Sequence, residues 1–507
     1  MRKRMLSERR SCISNVTVPP ASPTLDRQTM KLGKTTRDAA LAFALLLSSA
    51  SAHADMALHV TPKSRLFTDP AYVTVSAAPP SAEITIEATL TDRGGQAWTS
   101  RGVFYADLSG EVDLSRDASV FGTYKGIDGE AIFWSMQPAT SAQLSAAGNT
   151  MDNIDSPRRY PDFDAFNASY DLRKAPVEVT LNAQVTGILA DSDKQAATAR
   201  QVVVLVDEAV QRVVVSEGDM RGVIYEAPGM GPHPLAVVVT GSTGGINELK
   251  AMSLANEGIT TFALAHFNYP GRPTSLMSIS LEYFQNALAW FAGRYDQTRV
   301  ALLGDSRGGE GVLLIASSFP DQVSALIPGV PSNMVYAGVD ISTMEHGPAW
   351  SLNGEPLPYF DWKFTDLTPS HLWPGSGEAR HIYLETMLTP GLDDPRWIQV
   401  ENIKSPILLI SGDADAVWPS DIASERVVAR LQAKGFEYPV KHLEYRGAGH
   451  LVIMPALVKS RGEFAEVVVP GVPGLTIGGA PARNAHAQTD AFRKTVDFIK
   501  HHESAED

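Results

Sequence analysis

The chain of 507 residues contains a single cysteine, Cys12. One thiol cannot form a disulfide within the chain or a cysteine-based zinc site. A cysteine nucleophile is also nearly excluded. Long apolar runs are also missing, since no stretch reaches the about 18 uninterrupted apolar residues of a membrane-spanning helix. A formal net charge of -14 argues against non-specific nucleic-acid binding, which depends on clustered Lys and Arg side chains.

Residues 31–54 have the layout of a signal peptide, in which basic residues precede a short apolar run and small residues. We predict a signal peptide at about residues 30–54 and a mature chain that begins at Asp55 and is periplasmic or extracellular. Met30 directly precedes the pattern, so residues 1–29 are interpreted as an over-extended gene start. An uncleaved N-terminal anchor is the alternative.

The length favours two or three folded units, and the sequence changes character after residue 206. Over residues 55–206, short β-type runs alternate with turn residues, which predicts an all-β, immunoglobulin-like sandwich domain. Over residues 207–507, strands alternate with helices, which predicts an α/β domain with a mainly parallel sheet covered on both faces. Residues 333–396 are rich in Pro, Gly and aromatic residues without a clear period, and we predict a cap-like insertion over the active site.

Ser306 is the central residue of a GxSxG motif at residues 304–308. In a nucleophile elbow the two glycines allow a tight turn between a strand and a helix, which presents the serine to substrate. A strand-like run at 300–303 precedes the motif, and a helix-compatible run at 310–316 follows it. The context predicts an α/β-hydrolase domain with Ser306 as its nucleophile.

An acid and a histidine follow Ser306 in the chain order that elbow enzymes use. Asp415 follows a strand-like run at 407–410, and His450 follows another at 440–445. We predict that His450 is the general base and that Asp415 fixes its tautomer. Asp413 is the competing acid, but the usual spacing from the loop glycine favours Asp415.

The tetrahedral intermediate of acyl transfer needs two backbone N–H donors. Arg307 is predicted to supply the first donor, and the glycine-rich loop at 241–245 the second. Within that loop Ser242 is the favoured donor and Thr243 is the alternative. This loop lies between a predicted strand and helix, so a phosphate-binding loop is a competing interpretation, but no Gly-Lys-Ser/Thr sequence completes it. No cofactor or metal is predicted.

Several segments resemble the acyl-CoA thioesterase and bile acid-CoA:amino acid N-acyltransferase family. In the α/β part these are residues 241–245, 304–310, 411–420 and 447–450. Residues 113–117 and 133–136 resemble the β-sandwich of that family, and residues 478–485 resemble its carboxyl-terminal stretch. The resemblance covers nearly the whole chain after residue 54.

The resemblance implies an activity on acyl thioesters, with Ser306 as nucleophile, Asp415 as acid and His450 as base. Acyltransferase members use cysteine, so a serine implies hydrolysis rather than transfer to an amino acid. Acyl-CoA is a cytosolic metabolite, which conflicts with an export signal. The alternatives are therefore an exported carboxylesterase or amidase, an N-acyltransferase and, in last place, a non-catalytic binding protein centred on the β-sandwich.

Overall fold

The computed structural model describes most of the chain after residue 54. The described residues are 55–91, 97–139, 176–187, 196–340, 343, 345–361, 379–388, 391, 393–453, 466–469, 472–476 and 478–503. The predicted signal peptide lies outside them, as does part of the predicted cap-like insertion. Both the signal peptide and the early gene start therefore stay predictions.

The described residues before 207 form short strands and one short helix. The strands are β1 Ala57–Thr61, β2 Ser64–Leu66, β3 Tyr72–Ser76, β4 Glu83–Thr91, β5 Ala97–Tyr105, β6 Val112–Asp113, β7 Phe121–Gly122, β8 Gln137–Pro138, β9 Val177–Thr186 and β10 Ala196–Val204, and the helix is α1 Ala131–Trp134. The burial pattern of β4 explains its strand conformation. Ile84, Ile86 and Ala88 are buried and the residues between them are not, as expected for a strand with one buried face.

These strands form two sheets that enclose one apolar core. One sheet has the order β1-β3-β6, and the other has the order β2-β10-β9-β4-β5-β7, with β8 paired to β5. All their pairings are antiparallel except that of β2 with β10. Ile84, Phe104 and Leu181 lie in the core, and so do Trp98 and Phe133. The predicted β-sandwich is confirmed.

After residue 207 strands and helices alternate. The strands are β11 Gln211–Glu217, β12 Met220–Glu226, β13 Leu235–Val239, β14 Thr260–Leu264, β15 Ile279–Ser280, β16 Val300–Asp305, β17 Val323–Gly329, β18 Gly338–Asp340, β19 Glu345–Gly347, β20 Trp350–Leu352, β21 Glu355–Pro356, β22 Ile407–Gly412, β23 Val440–Tyr445, β24 Glu466–Val469 and β25 Val472–Thr476. The helices are α2 Glu248–Asn256, α3 Leu281–Arg294, α4 Arg307–Ser318, α5 Arg380–Leu388, α6 Ser420–Ala433 and α7 Pro481–Glu503.

Eight of these strands form the central sheet, in the order β11-β12-β14-β13-β16-β17-β22-β23. Neighbours from β14 to β23 are parallel, and only β12 runs against the rest. A strand order in which β13 and β14 exchange places, with one antiparallel strand near the edge, is that of the α/β-hydrolase fold. The predicted fold class is confirmed, and β23 has the predicted bounds of 440–445.

The central sheet is covered on both faces, which explains its continuously apolar strands. All five residues of β13 are buried, because successive side chains point to opposite faces. Val237 packs with helices α3, α4 and α6, whereas Val238 packs with α2 and α7. The carboxyl ends of the parallel strands therefore meet at one edge, where loops can combine their side chains.

The sandwich core continues into the central sheet. Tyr225 of β12 and Met252 of α2 belong to the same apolar cluster as Ile84 and Phe104. Strands on either side of residues 206 and 207 nevertheless belong to different sheets. The predicted domain boundary at that point stays a prediction.

Candidate active site

Ser306 occupies the sharp turn between strand β16 and helix α4. Its backbone angles are φ 58° and ψ -119°, a costly conformation for a residue with a side chain. Two backbone hydrogen bonds hold the turn, from Ser306 N to Gly329 O at 2.9 Å and from Glu310 N to Ser306 O at 3.0 Å. Ser306 therefore lies in the strained strand-to-helix turn that the GxSxG spacing predicts.

Gly304 and Gly308 show why this turn needs glycine on both sides of the serine. A Cβ at Gly304 would lie 2.3 Å from Gly308 O, and a Cβ at Gly308 would lie 2.4 Å from Thr240 O. Both clashes are with backbone atoms of closely packed elements, which cannot move aside cheaply. A larger residue at either position would displace Ser306.

His450 is hydrogen-bonded to Asp415, with 2.8 Å between Nδ1 and Oδ2. Asp415 is fully buried, and it also accepts hydrogen bonds from Ser420 Oγ at 2.6 Å and from Val417 N at 3.0 Å. Because a carboxylate can only accept, this hydrogen bond requires the proton of the imidazole on His450 Nδ1. The Asp413 carboxylate instead accepts a hydrogen bond from Gly447 N at 2.6 Å, which joins the loop after β22 to the loop before His450. Of the two candidate acids, Asp415 is the one that contacts His450.

The turn that carries His450 lies against the elbow beside Gly329. A Cβ on Gly329 would be 2.5 Å from Ile453 Cγ2 and 2.7 Å from Asp305 Oδ1, so this turn and the residue before Ser306 meet there. Among the residues that the structure describes, no hydrogen bond joins Ser306 Oγ to His450. Such contacts often form only with substrate bound, and the catalytic partnership of the two residues stays a prediction.

The two predicted oxyanion donors lie on the elements that meet at the elbow. Arg307 is the first residue of α4, where a backbone N–H has no acceptor within the helix. The loop with Ser242 packs against Ser306, since a Cβ on Gly241 would lie 3.2 Å from Ser306 Cβ. Ser242 is exposed and follows strand β13. The placement agrees with an oxyanion hole, whose donors stay predictions.

The Arg307 side chain forms a buried network that sequence reasoning missed. Its guanidinium donates to Glu310 Oε2 at 2.6 Å and to Tyr336 O at 2.8 Å. Trp350 Nε1 donates to the other Glu310 oxygen at 2.8 Å, and burial raises the pKa of Glu310 to about 7 despite Arg307. The spacing of three residues within a helix was a signal for the Arg307–Glu310 pair. No local pattern pointed to Tyr336 or Trp350.

Lys250 and Asp305 form a second buried ion pair behind the nucleophile. Each side chain is 9% exposed, and Asp305 directly precedes Ser306. Lys250 comes from helix α2, which follows the loop with Ser242. The pair thus connects the elbow to the element behind the predicted oxyanion loop. No sequence pattern indicated this ion pair, because 55 positions separate the two residues.

An aromatic wall stands beside His450. The rings of Trp418 and His450 are 6.2 Å apart, and Trp418 Nε1 donates to Val330 O at 2.9 Å. Tyr336 and Tyr383 pack against Trp418, with ring centroids 6.3 Å and 5.7 Å away. Both tyrosines come from the predicted cap-like insertion at residues 333–396. The described parts of that segment therefore contact the surroundings of His450, as a wall of the site would.

Two other histidines have environments unsuited to a general base. His266 is packed among aromatic rings, and burial lowers its pKa to about 3. His442 contacts Ser411 Oγ at 2.7 Å, but Ser411 is fully buried within the central sheet. A buried serine cannot meet a substrate, so this second Ser–His pair is structural.

In the part of the chain that the structure describes, no helix combines the length and apolar character needed to span a bilayer. The same residues contain no cluster of three or more His, Cys, Asp or Glu side chains that could hold a metal ion.

Comparison with known proteins matches both halves of the chain to one family. The family described as "BAAT / Acyl-CoA thioester hydrolase C terminal" matches residues 279–505, and "Acyl-CoA thioester hydrolase/BAAT N-terminal region" matches residues 68–217. Human acyl-coenzyme A thioesterase 1 is 26% identical over 86% of this chain and 93% of its own length. Rat acyl-coenzyme A amino acid N-acyltransferase 2 is 27% identical over 88% of this chain and 97% of its own.

The solved structure of an esterase/lipase from an uncultured bacterium is 14% identical and covers 59% of this chain and 87% of its own, with a TM-score of 0.36. Mouse peroxisomal succinyl-coenzyme A thioesterase is 26% identical over 88% of this chain and 96% of its own length. With both family regions matched in order, the chain belongs to the acyl-CoA thioester hydrolase/BAAT family.

Proposed function

We propose that the protein is a serine hydrolase that cleaves acyl thioesters, with Ser306 as nucleophile, His450 as general base and Asp415 as the acid that orients it. The observation that carries the proposal is the Asp415–His450 hydrogen bond of 2.8 Å in a turn that packs against the Ser306 elbow. Family membership supplies the substrate class, because relatives in both family branches are named for acyl-coenzyme A.

The reaction proceeds in two halves. Ser306 Oγ attacks the thioester carbonyl carbon while His450 Nε2 takes its proton, and the C–S bond then breaks as His450 returns the proton to the leaving thiol. Water next gives a proton to His450 and attacks the acyl-enzyme. Return of that proton to Ser306 Oγ releases a carboxylic acid.

Charge develops on the carbonyl oxygen in both tetrahedral intermediates. The backbone N–H groups of Arg307 and Ser242 are the proposed donors, and such groups need no reorganisation during the reaction. Asp415 stabilises the imidazolium that forms on His450. The Trp418 ring and its aromatic neighbours exclude water from that side of His450.

The proposal is tested with Ser306→Ala on a panel of acyl-CoA thioesters and p-nitrophenyl esters. We expect kcat to fall by about 10⁴- to 10⁶-fold, because the acyl-enzyme cannot form. Ser411→Ala is the matched control, since it removes the hydroxyl of the other Ser–His pair. Turnover by Ser306→Ala at the wild-type rate would remove Ser306 from the mechanism.

A second candidate function is an exported esterase or amidase that uses the same residues on oxygen esters or amides. The signal-peptide pattern at about residues 30–54 favours it, because an exported enzyme would rarely meet acyl-CoA. N-terminal sequencing of the mature protein tests export, with Asp55 as the expected first residue. A higher kcat/KM for oxygen esters than for thioesters of the same acyl chain would select this candidate over the first.

A further inference from the structure

Helix α7 contacts the backbone on both sides of His450. Asn484 Oδ1 accepts a hydrogen bond from Gly449 N at 2.8 Å, and Gln488 Nε2 donates one to Leu451 O at 2.9 Å. The two side chains are four positions apart, so they project from the same face of the helix. The residues before and after the proposed base are therefore held by one rigid element.

The residues of the loop that leads to His450 contribute few interactions that fix its conformation. It reads Gly447-Ala448-Gly449, and Gly447 adopts a φ of 75°. Glycines offer no side chain for packing and pay the largest backbone entropy when fixed. Hydrogen bonds from outside the loop must consequently supply the order, and Asn484 provides one at Gly449.

Asn484 also acts on the acid side of the site. Its Nδ2 donates to Gly478 O at 3.3 Å, and Gly478 forms an isolated β-bridge with Asp415. One buried amide side chain therefore contacts the backbone next to His450 and the segment paired with Asp415. A displacement of the Asn484 side chain would therefore change the distance between Asp415 and His450.

Gln488 has a feature that packing alone does not explain. It is 4% exposed, and its Oε1 has no hydrogen-bond partner among the residues that the structure describes. A buried unpaired carbonyl costs about 1–3 kcal/mol, so an apolar residue of the same shape would suit stability better. The donor to Leu451 is the gain that offsets this cost.

The opposite face of helix α7 contacts the β-sandwich. His486 Nε2 is 2.7 Å from Asp128 Oδ2, and the same oxygen accepts from Trp134 Nε1 at 3.0 Å. The rings of Trp134 and His486 meet edge to face, with centroids 6.1 Å apart. His486 lies midway between Asn484 and Gln488 in sequence, about 200° around the helix from Asn484.

We propose that Asn484 and Gln488 are positioning residues for His450, and that Asp128 of the β-sandwich steadies them by holding His486 of the same helix. The β-sandwich thereby supports the catalytic base without touching substrate. This inference rests on the proposed function, in which His450 is the general base.

The first test compares Gln488→Met with the wild type, using a short-chain p-nitrophenyl ester. Methionine fills a similar volume without a donor, so we expect folding stability to be kept or raised while kcat falls about tenfold or more and KM changes little. A looser Asp415–His450 contact also stabilises the imidazolium less, which shifts the acid limb of the kcat/KM profile to lower pH. Thr489→Ala, on the same helix, should stay within about twofold of wild type.

Asn484→Ala should act more strongly, with a loss in kcat of about 100-fold, because it releases both sides of the site. Thermal unfolding of each variant identifies any that fail to fold, and Gln488→Met then carries the test. Wild-type kcat and an unchanged acid limb in folded Gln488→Met would overturn the positioning role.

The second test is a double-mutant cycle with Asp128→Asn, which keeps an acceptor for Trp134 but removes the charge that holds His486. If the β-sandwich acts through helix α7, the fold-loss in kcat of the double variant is smaller than the product of the fold-losses of Asp128→Asn and Gln488→Met. Independent losses, or no loss in Asp128→Asn, would overturn the role of the β-sandwich. Activity that survives Ser306→Ala would instead overturn the proposed function, so the two failures are distinguishable.

Discussion

Asp415 and Asp413 are chemically equal and two positions apart, yet their environments give them different tasks. Asp415 is fully buried and contacts His450 and Ser420 through one carboxylate oxygen. Among the described hydrogen bonds, the Asp413 carboxylate accepts only from the backbone N–H of Gly447. A carboxylate that must stabilise an imidazolium needs the first environment, because a dry site strengthens the interaction.

At the residue scale we predict that Asp415→Asn lowers kcat at neutral pH by about 10⁴-fold. An amide can donate to His450 Nδ1, which would place the histidine proton on Nε2 and remove the base. Steady-state kinetics on a p-nitrophenyl ester measure this. Asp413→Asn keeps an acceptor for Gly447 N and should lose less than about tenfold. Equal losses in the two variants would contradict the assignment of the acid.

At the scale of one element, helix α4 is anchored by the network of Arg307, Glu310 and Trp350. Both carboxylate oxygens of Glu310 are used, and the residue is fully buried. Arg307 also reaches Tyr336 O, so the network joins the elbow helix to the segment beside Trp418. The backbone N–H of Arg307 is a proposed oxyanion donor, and its side chain thus fixes the helix end that presents it.

We predict that Glu310→Ala destabilises the protein by about 3–5 kcal/mol, because it leaves the Arg307 guanidinium buried without its counter-ion. Urea unfolding followed by tryptophan fluorescence measures the change. Glu355→Ala is the control, since this exposed glutamate of β21 should change stability by less than about 0.5 kcal/mol. A loss for Glu310→Ala as small as that of the control would contradict the role of the network.

At the scale of the whole molecule, Asp128 and His486 connect the β-sandwich to helix α7. The hydrogen bond to Asp128 raises the pKa of His486, with burial and Arg483 opposing the shift. Burial raises the pKa of Asp128, but the bond and charge of His486, together with hydrogen bonds from Glu130 N and Trp134 Nε1, outweigh burial and lower the pKa. Each residue therefore favours the charged form of the other. The pair is partly exposed, so solvent screens its contribution.

We predict that the stability advantage of wild type over Asp128→Asn is greatest between about pH 4 and pH 6.5, the ordinary pKa values of the two groups. Above that range the advantage is lost as His486 deprotonates through its raised pKa, and below it Asp128 becomes protonated. Thermal unfolding at pH 5.5 and pH 9 measures the difference. Asp321→Asn is the control, because Asp321 pairs with Lys404 and not with a histidine. The stability advantage of wild type over this variant should not decline above pH 6.5.

The sequence by itself determined the fold class and the chemistry of the candidate site. The five apolar residues of β13 required a sheet covered on both faces, and the glycines around Ser306 required a tight turn. Asp415 and His450 could be placed because each follows a strand, and carboxyl ends of parallel strands meet at one edge. These signals are local, so a single sequence carries them.

Element ends were less predictable where pairing extends a strand beyond its apolar core. Strand β10 begins at Ala196, well before its apolar end at Val202–Val204, because residues of low β-propensity also pair with β9. Strand β16 continues through Gly304 and Asp305, whose partners are Pro328 and Gly329 of β17. In both cases the neighbouring strand supplies the hydrogen bonds that the local sequence does not predict.

Only the tertiary structure decided which side chains support the site. Lys250 meets Asp305, Trp350 meets Glu310, and Asn484 meets Gly449 across separations of 35 to 55 residues. No periodicity connects such positions, because the contacts arise where loops and helices from distant segments converge on one edge of the sheet. Local spacing therefore predicted the candidate reacting groups, whereas packing chose the residues that contact them.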